Sequence, residues 1–319
     1  MAQHFKAEQG KLLPFYWFNG KLLHRVQDGD PTVKTFSQAM DYSVVLIEGI
    51  RVNVDKSGNC YGFRLKDYIR RMQEGWKELK LDCPYSFAKI LDGLHRCIEE
   101  NLIFMKKNGG LRNMYVRPKI FHSDPVVKPF YGCTTNVVIE CLPFGNYLPP
   151  SGIAVTVGEY VRTHRYSGYT TKGGGKYVEY GRLRDSAPDE YADVLQLGLG
   201  KGGKLIFTEG TSSNLFCVRN GVLMTPGVDD FILKGITRDS ILKMAKYLKI
   251  PTREEEVSLG VLFEAEEIFL SGTASFITPV NRLGRYQLKV GPVTKKLMDF
   301  FEKVRLGKIP YFSSWLTKF

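Results

Sequence analysis

Lys172 stands beside three glycines in Thr170-Thr171-Lys172-Gly173-Gly174-Gly175-Lys176-Tyr177, with an aromatic hydroxyl five residues further on. A run of glycines costs backbone entropy, so it marks a place where the chain turns tightly or lets another group approach closely. A lysine held in a partly dry pocket at such a place can act as a neutral amine and form a Schiff base with an aldehyde. The same residue types also build ordinary surface loops. What the loop means therefore depends on its company.

Four other pieces supply that company. Gly235-Ile236-Thr237, at the start of a helix, offers backbone N–H groups and a hydroxyl to an anion. Gly272-Thr273-Ala274, at a strand end, offers the same. Arg64 follows an aromatic strand end and can fork onto a phosphate. Glu209, in Thr208-Glu209-Gly210, is an acid ending an apolar strand, where burial is expected. Each alone reads as a turn, a surface charge, a cap or a satisfied core acid. With Lys172 they make up what pyridoxal phosphate requires: an amine for the aldehyde, a phosphate cup, and a carboxylate facing the ring nitrogen.

Competing motifs are weaker. Gly198-Leu199-Gly200-Lys201-Gly202-Gly203 matches a dinucleotide pattern and, with Lys204, falls one residue short of a Walker A loop. Both need a helix next, and Leu205-Ile206-Phe207-Thr208 reads as a strand, so a hairpin loop is the better reading. The five histidines and the acids show no HExxH or HxH spacing, so no metal is expected, and no GxSxG elbow is present. The six cysteines lack a CxxC pair, which suits reduced thiols in a cytoplasmic protein.

The elements that must position these groups are legible in outline. At 319 residues, with 43% hydrophobic and 24% charged, the chain fits two soluble domains. Its start makes a poor signal peptide, and no apolar run is long enough to span a bilayer. Lys plus Arg is 45 against 33 acids, a net charge of +12, but the basic residues are scattered. Solubility and an anionic small ligand account for that charge about as well as nucleic acid does.

Residues 15–23 read as a hairpin about Asn19-Gly20, and Asn214–Val218 with Val222–Thr225 as a second about Arg219-Asn220-Gly221. Helical spacing marks Ile69, Met72, Trp76 and Leu79, a helix near 85–105, one opening at 235–238 and capped by Thr237, and one over 292–305. The Pro-Gly-rich 143–150 stretch reads as a linker. Mixed strands and helices in two domains make an α+β protein.

At this point the sequence resembles a family. Trp17-Phe18-Asn19-Gly20, Glu48-Gly49-Ile50-Arg51, Tyr115-Val116-Arg117-Pro118, Thr208-Glu209-Gly210 with Asn214-Leu215-Phe216, Gly235-Ile236-Thr237-Arg238, Ser271-Gly272-Thr273-Ala274 with Thr278-Pro279-Val280, and Gly291-Pro292-Val293-Thr294-Lys295 occur in the order found in the fold-type IV, class IV pyridoxal-phosphate aminotransferases. The similarity is strongest to the branched-chain amino acid aminotransferases.

The resemblance implies a small α/β N-terminal domain over 1–143, an interdomain loop over 144–150, and a larger domain over 151–319 with a pseudo-barrel of mixed strands and helices. It implies pyridoxal 5'-phosphate, with Lys172 as the Schiff-base lysine, Tyr177 at the phenolic oxygen, and Glu209 at the ring nitrogen. Arg64, Ile236, Thr237 and Thr273 fall on the phosphate cup. Tyr42, Tyr115, Arg117, Phe144 and Tyr147 fall on the substrate pocket, with Thr273 and Ala274 near the substrate carboxylate. Exchange of an amino group between leucine, isoleucine or valine and 2-oxoglutarate, giving glutamate, is the implied reaction, in a homodimer or higher homo-oligomer; no nucleic-acid or membrane partner is expected.

Three departures stand out. Lys176 replaces the family's usual asparagine and places a second lysine four residues from the first, Ser43 replaces a glycine after Tyr42, and Ile47 replaces a phenylalanine. A D-amino acid or (R)-amine aminotransferase, or aminodeoxychorismate lyase, shares Lys172, Glu209 and the cup. The Tyr115-Val116-Arg117 pattern argues against these. A basic nucleotide-binding protein using the 198–204 loop is the alternative from another class.

Overall fold

The computed structural model describes residues 12–127, 133–145, 149, 151–162, 171–228 and 232–319. They divide into two compact units. The N-terminal unit takes the described residues up to Gly145 together with Thr171–Lys176 and Val304–Phe319. The C-terminal unit takes the described residues between Asn146 and Thr170 together with Tyr177–Lys303.

Among the described residues the N-terminal unit holds one sheet, ordered Leu316–Lys318, Cys60–Phe63, Ile50–Val54, Met114–His122, Thr135–Pro143, Phe15–Phe18, Lys21–His24, with Val45–Ile47 also paired to Met114–His122. Its first hairpin turns at Asn19 (φ 45°) and Gly20 (φ 91°), two left-handed residues whose twist suits a two-residue turn between antiparallel strands. The helix Phe87–Lys107 starts where the Ser86 hydroxyl accepts the Lys89 N–H. It buries Ile90, Leu94, Cys97 and Ile98, and a Cβ at Gly93 would come within 2.5 Å of the Trp17 ring, so the bare glycine lets the helix lie against that side chain.

The C-terminal unit holds a mixed sheet ordered Thr252–Glu254, Val222–Thr225, Asn214–Arg219, Glu267–Gly272, Phe276–Leu283, Ile153–Arg162, Asp193–Leu199, Leu205–Phe207, Val257–Ser258, with Tyr286–Gln287 paired to Phe276–Leu283. Val155, Leu195, Phe207, Leu215, Cys217, Val257, Ile268 and Val280 form its core. Glu267 accepts the N–H groups of Val293 and Thr294 at 3.0 and 2.7 Å, which caps the helix Pro292–Arg305.

Several sequence expectations change in detail. The helix over Ile236–Tyr247 is capped by Gly235, with no side-chain cap; Thr237 lies inside the first turn, buried. Lys176–Asp185 forms a helix that periodicity does not announce, because Leu183 is its one buried residue. The glycine-rich 198–203 stretch is, as expected, a hairpin connection: it joins two antiparallel strands through a short 3-10 turn and is followed by the strand Leu205–Phe207.

The two compact units interleave along the chain. Thr171–Lys176 returns to the N-terminal unit through a β-bridge of Gly173 to Leu46, and Val304–Phe319 returns through pairing of Leu316–Lys318 with Cys60–Phe63. Linker composition reports a local break and carries no information about later pairing. No helix of the described residues is long and apolar enough to cross a membrane.

Candidate active site

In the N-terminal unit the Lys172 loop is gripped from two sides. Ile47 N–H donates to the Lys172 carbonyl at 3.0 Å, and Gly174 N–H donates to the Val45 carbonyl at 2.8 Å. Thr171, 4% exposed, lies against Gly75 of the helix Leu65–Glu78 and donates its hydroxyl to Glu78. A Cβ on Gly174 would sit 2.4 Å from a Val45 methyl, so close approach explains this glycine. Lys176 Nζ donates to the Thr171 carbonyl at 2.6 Å, which ties the second lysine back across the loop while Lys172 is half-buried.

The same unit assembles Tyr115, Arg117 and Phe144. Tyr115 and Arg117 lie on the strand Met114–His122; the rings of Tyr115 and Phe144 are 4.9 Å apart, and the Arg117 guanidinium sits 5.0 Å over Tyr115. The acid opposite Arg117 in register, Glu140, is engaged by Lys119 at 2.6 Å and Arg25 at 2.7 Å. Burial alone would raise the Glu140 carboxyl; hydrogen bonds from Lys119 and Arg25 outweigh it and hold the group below its usual range.

Arg51 completes the cluster and was missed from sequence. Its guanidinium lies 4.6 Å over Phe144 and is 3% exposed; burial first, then the charge of Arg305, brings it down to about 10. Its strand partner in register is Tyr115, and Arg51 sits in the Glu48-Gly49-Ile50-Arg51 motif, which was the available signal. Gly49 belongs here for a steric reason: a Cβ would fall 1.8 Å from the Tyr115 hydroxyl. Tyr42 donates its hydroxyl to the Val127 carbonyl at 2.7 Å. Tyr147 lies outside the described residues.

Arg64 caps the helix Leu65–Glu78 in a left-handed conformation, φ 52°, and donates Nε to Asp67 at 2.6 Å. Unusual for a branched or long side chain, this conformation fixes where the guanidinium leaves the backbone.

In the C-terminal unit Glu209 is 4% exposed and met by donors. Arg162 NH1 reaches Oε1 at 3.0 Å, while Asn214 Nδ2 and the Leu233 N–H reach Oε2 at 3.2 and 3.1 Å. Surroundings made of donors suit an ionised carboxylate. Arg162 also donates to Gln196 and lies 5.6 Å over the Tyr180 ring, whose hydroxyl is pushed well up by burial and then by the Glu209 charge. The turn after Glu209 is knitted by Asp193, which accepts from Thr211 and Ser213.

The start of the helix Ile236–Tyr247 and the Thr273-Ala274 turn, which the sequence offers as anion donors, lie in the same unit as Glu209. A Cβ at Gly235 would lie 2.0 Å from Asn214 Oδ1, so the helix Ile236–Tyr247 begins on a glycine that leaves room for the amide holding Glu209. Its first turn presents N–H groups for which the helix supplies no acceptors. Thr273 and Ala274 form a short hairpin turn between Glu267–Gly272 and Phe276–Leu283, beside Ser271, whose buried hydroxyl has no hydrogen-bond partner among the described residues. Tyr177 is 37% exposed, edge-on to Tyr180 at 5.7 Å.

Each unit by itself holds groups whose chemistry suits pyridoxal phosphate: a loop-held amine at Lys172 and a guanidinium at Arg64 in the N-terminal unit, and a buried carboxylate at Glu209 with N–H and hydroxyl donors at the start of the helix Ile236–Tyr247 in the C-terminal unit. No group of three or more His, Cys, Asp or Glu placed to hold a metal occurs among the described residues.

Residues 45–283 match the family described as amino-transferase class IV, and the chain belongs to that family. It is 31% identical over 316 residues to a branched-chain-amino-acid aminotransferase of Salmonella typhimurium, covering 96% of this chain and 97% of the relative. A branched-chain aminotransferase of Thermoproteus uzoniensis, solved with norvaline, is 30% identical with a TM-score of 0.86, covering 97% of this chain and 99% of that one. The T.th. branched-chain amino acid aminotransferase, complexed with N-(5'-phosphopyridoxyl)-L-glutamate, is 26% identical with a TM-score of 0.82, covering 96% and 98%. The α+β, fold-type IV architecture implied by the sequence motifs is the one shared with these enzymes.

Proposed function

We propose that this chain is a pyridoxal-phosphate-dependent aminotransferase that moves the amino group between branched-chain L-amino acids and 2-oxoglutarate, yielding branched 2-oxo acids and L-glutamate. The observation that carries this reading is the likeness, over nearly the full length of each chain, to branched-chain aminotransferases solved with an aliphatic amino acid in one case and a phosphopyridoxyl glutamate in another.

Pyridoxal 5'-phosphate, when bound, supplies the aldehyde that takes up the amino group and the ring that accepts electrons from the broken Cα–H bond. Lys172 Nζ would hold that aldehyde and would take and return the proton at the substrate Cα. Glu209, kept in place by Arg162, Asn214 and the Leu233 N–H, would pair as a carboxylate with the ring nitrogen. Arg64, Ile236, Thr237 and Thr273 hold the phosphate, and Tyr177 the phenolic oxygen.

Tyr42, Tyr115, Phe144 and Tyr147 give the pocket apolar walls. Arg117 takes the second carboxylate of glutamate, and the Thr273-Ala274 turn holds the α-carboxylate. A methylene in such a pocket is worth only about 1–3 kcal/mol, so leucine, isoleucine and valine overlap as donors. A small domain over 1–143, a loop over 144–150 and a large domain over 151–319, a homodimeric assembly and a cytoplasmic location belong to the same proposal.

An absorbance spectrum tests it. The purified protein with pyridoxal 5'-phosphate carries a visible band that L-leucine removes and D-alanine leaves. Removal by D-alanine alone moves the chain to a D-specific activity, and no visible band at all overturns the role of Lys172.

A further inference from the structure

Arg64 holds a backbone conformation that a non-glycine residue adopts at a cost, φ 52° and ψ 37°. Such a residue persists where its surroundings over-determine it. Two contacts from one distant side chain and its peptide do so here. The Arg64 N–H donates to the Trp315 carbonyl at 2.6 Å, and the Arg64 guanidinium carbon lies 4.9 Å from the centre of the Trp315 ring.

Trp315 is itself fixed on three sides. The strand that follows it, Leu316–Lys318, pairs in register with Cys60–Phe63, the strand that leads into Arg64. Its ring meets Phe312 at 4.3 Å and Phe63 edge-on at 6.0 Å. Asp67 takes the Nε edge of the guanidinium. A guanidinium lying on an aromatic ring and clamped along one edge is a planar fork with a set direction.

We propose that Trp315 is a positioning residue for phosphate binding: its carbonyl holds Arg64 in the left-handed conformation, and its ring holds the guanidinium in the plane from which it grips the cofactor's phosphate. This rests on the assignment of Arg64 to the phosphate cup. The segment 304–319, although far in sequence from the remaining cofactor residues, thereby sets affinity for the phosphorylated form of the cofactor in particular.

The test compares binding of pyridoxal 5'-phosphate with binding of pyridoxal, which lacks the phosphate, to the apoprotein. Variants are Trp315→Phe, which keeps a ring, Trp315→Leu and Trp315→Met, which do not, Arg64→Gln, and Arg64→Gln combined with Trp315→Leu; circular dichroism confirms that each is folded. The ring-free variants bind pyridoxal 5'-phosphate about 3- to 30-fold more weakly, the span of a cation–π contact, and pyridoxal unchanged. Trp315→Phe stays near wild type, and the combined variant is no weaker than Arg64→Gln alone.

Equal loss of both ligands in the two ring-free variants reduces Trp315 to a packing residue and overturns the proposal, as does unchanged binding of both. If Arg64→Gln itself fails to separate the two ligands, the assignment of Arg64 to the phosphate falls, and this inference with it. A phosphate-selective loss in Arg64→Gln without one in the Trp315 variants leaves that assignment standing and refutes the role of Trp315 alone.

Discussion

The Lys172 carbonyl accepts the Ile47 N–H at 3.0 Å, so the loop that carries Lys172 is fastened by its backbone to the strand Val45–Ile47. That bond holds the backbone of Lys172 and does not use its side chain. Lys176 serves the opposite purpose, its ammonium spent on the Thr171 carbonyl at 2.6 Å.

This separates the two lysines experimentally. Lys172→Ala is expected to lose roughly 10²–10⁴-fold in kcat, the range associated with a positioned acid–base group, together with the visible band. Lys176→Asn, which restores the residue common in the family, keeps the band and most of the activity. A surviving band in Lys172→Ala with a lost one in Lys176→Asn reverses the assignment.

Glu209 and Arg162 form an ion pair with side chains 5% and 2% exposed. Removing one partner of such a pair leaves a buried charge uncompensated, typically at about 3–5 kcal/mol. Arg162→Met is therefore expected to lower the unfolding free energy by that order. Glu209→Gln keeps one accepting oxygen and retains the cofactor, but kcat drops by ~10²-fold or more. Near-normal kcat in Glu209→Gln with cofactor bound would remove this residue from the chemistry.

Gly49→Ala places a methyl carbon where the Tyr115 hydroxyl now lies, 1.8 Å away. The tyrosine must swing out, at about 1–3 kcal/mol of overpacking, and KM for the amino acid rises by roughly tenfold while kcat changes less. An unchanged KM and melting temperature would show that Tyr115 does not wall the substrate pocket.

The Glu140 carboxyl, held below the usual 4.5 by Lys119 and Arg25, gives an acid-side signature. Its folded value is depressed, so the stabilisation is present above the unfolded-state value and is lost as pH falls through the lower, folded one. Urea unfolding of Glu140→Gln is expected to show a smaller deficit against wild type at acid pH than at neutral pH. A deficit that does not depend on pH would mean that the charge contributes little.

The sequence by itself determined what depends on near neighbours. Asn19-Gly20 and Asn220-Gly221 each place two left-handed residues in a hairpin turn, and apolar spacing marked the helices Leu65–Glu78 and Phe87–Lys107, because turn chemistry and periodicity act over a few residues. Burial of Glu209 followed from the apolar strand before it.

Which partner answers which residue was decided only in three dimensions. Arg162 is one of 45 basic residues, and nothing in its spacing selects it for Glu209, 47 positions away. Arg51 meets Phe144, and Trp315 meets Arg64, through strand pairings of long sequence separation. The Lys172 loop likewise joins the N-terminal unit through one bridge to Leu46. Such contacts form when a sheet's register brings two side chains together, and register is a property of the packed chain, since many alternative pairings satisfy the same alternation of apolar and polar residues.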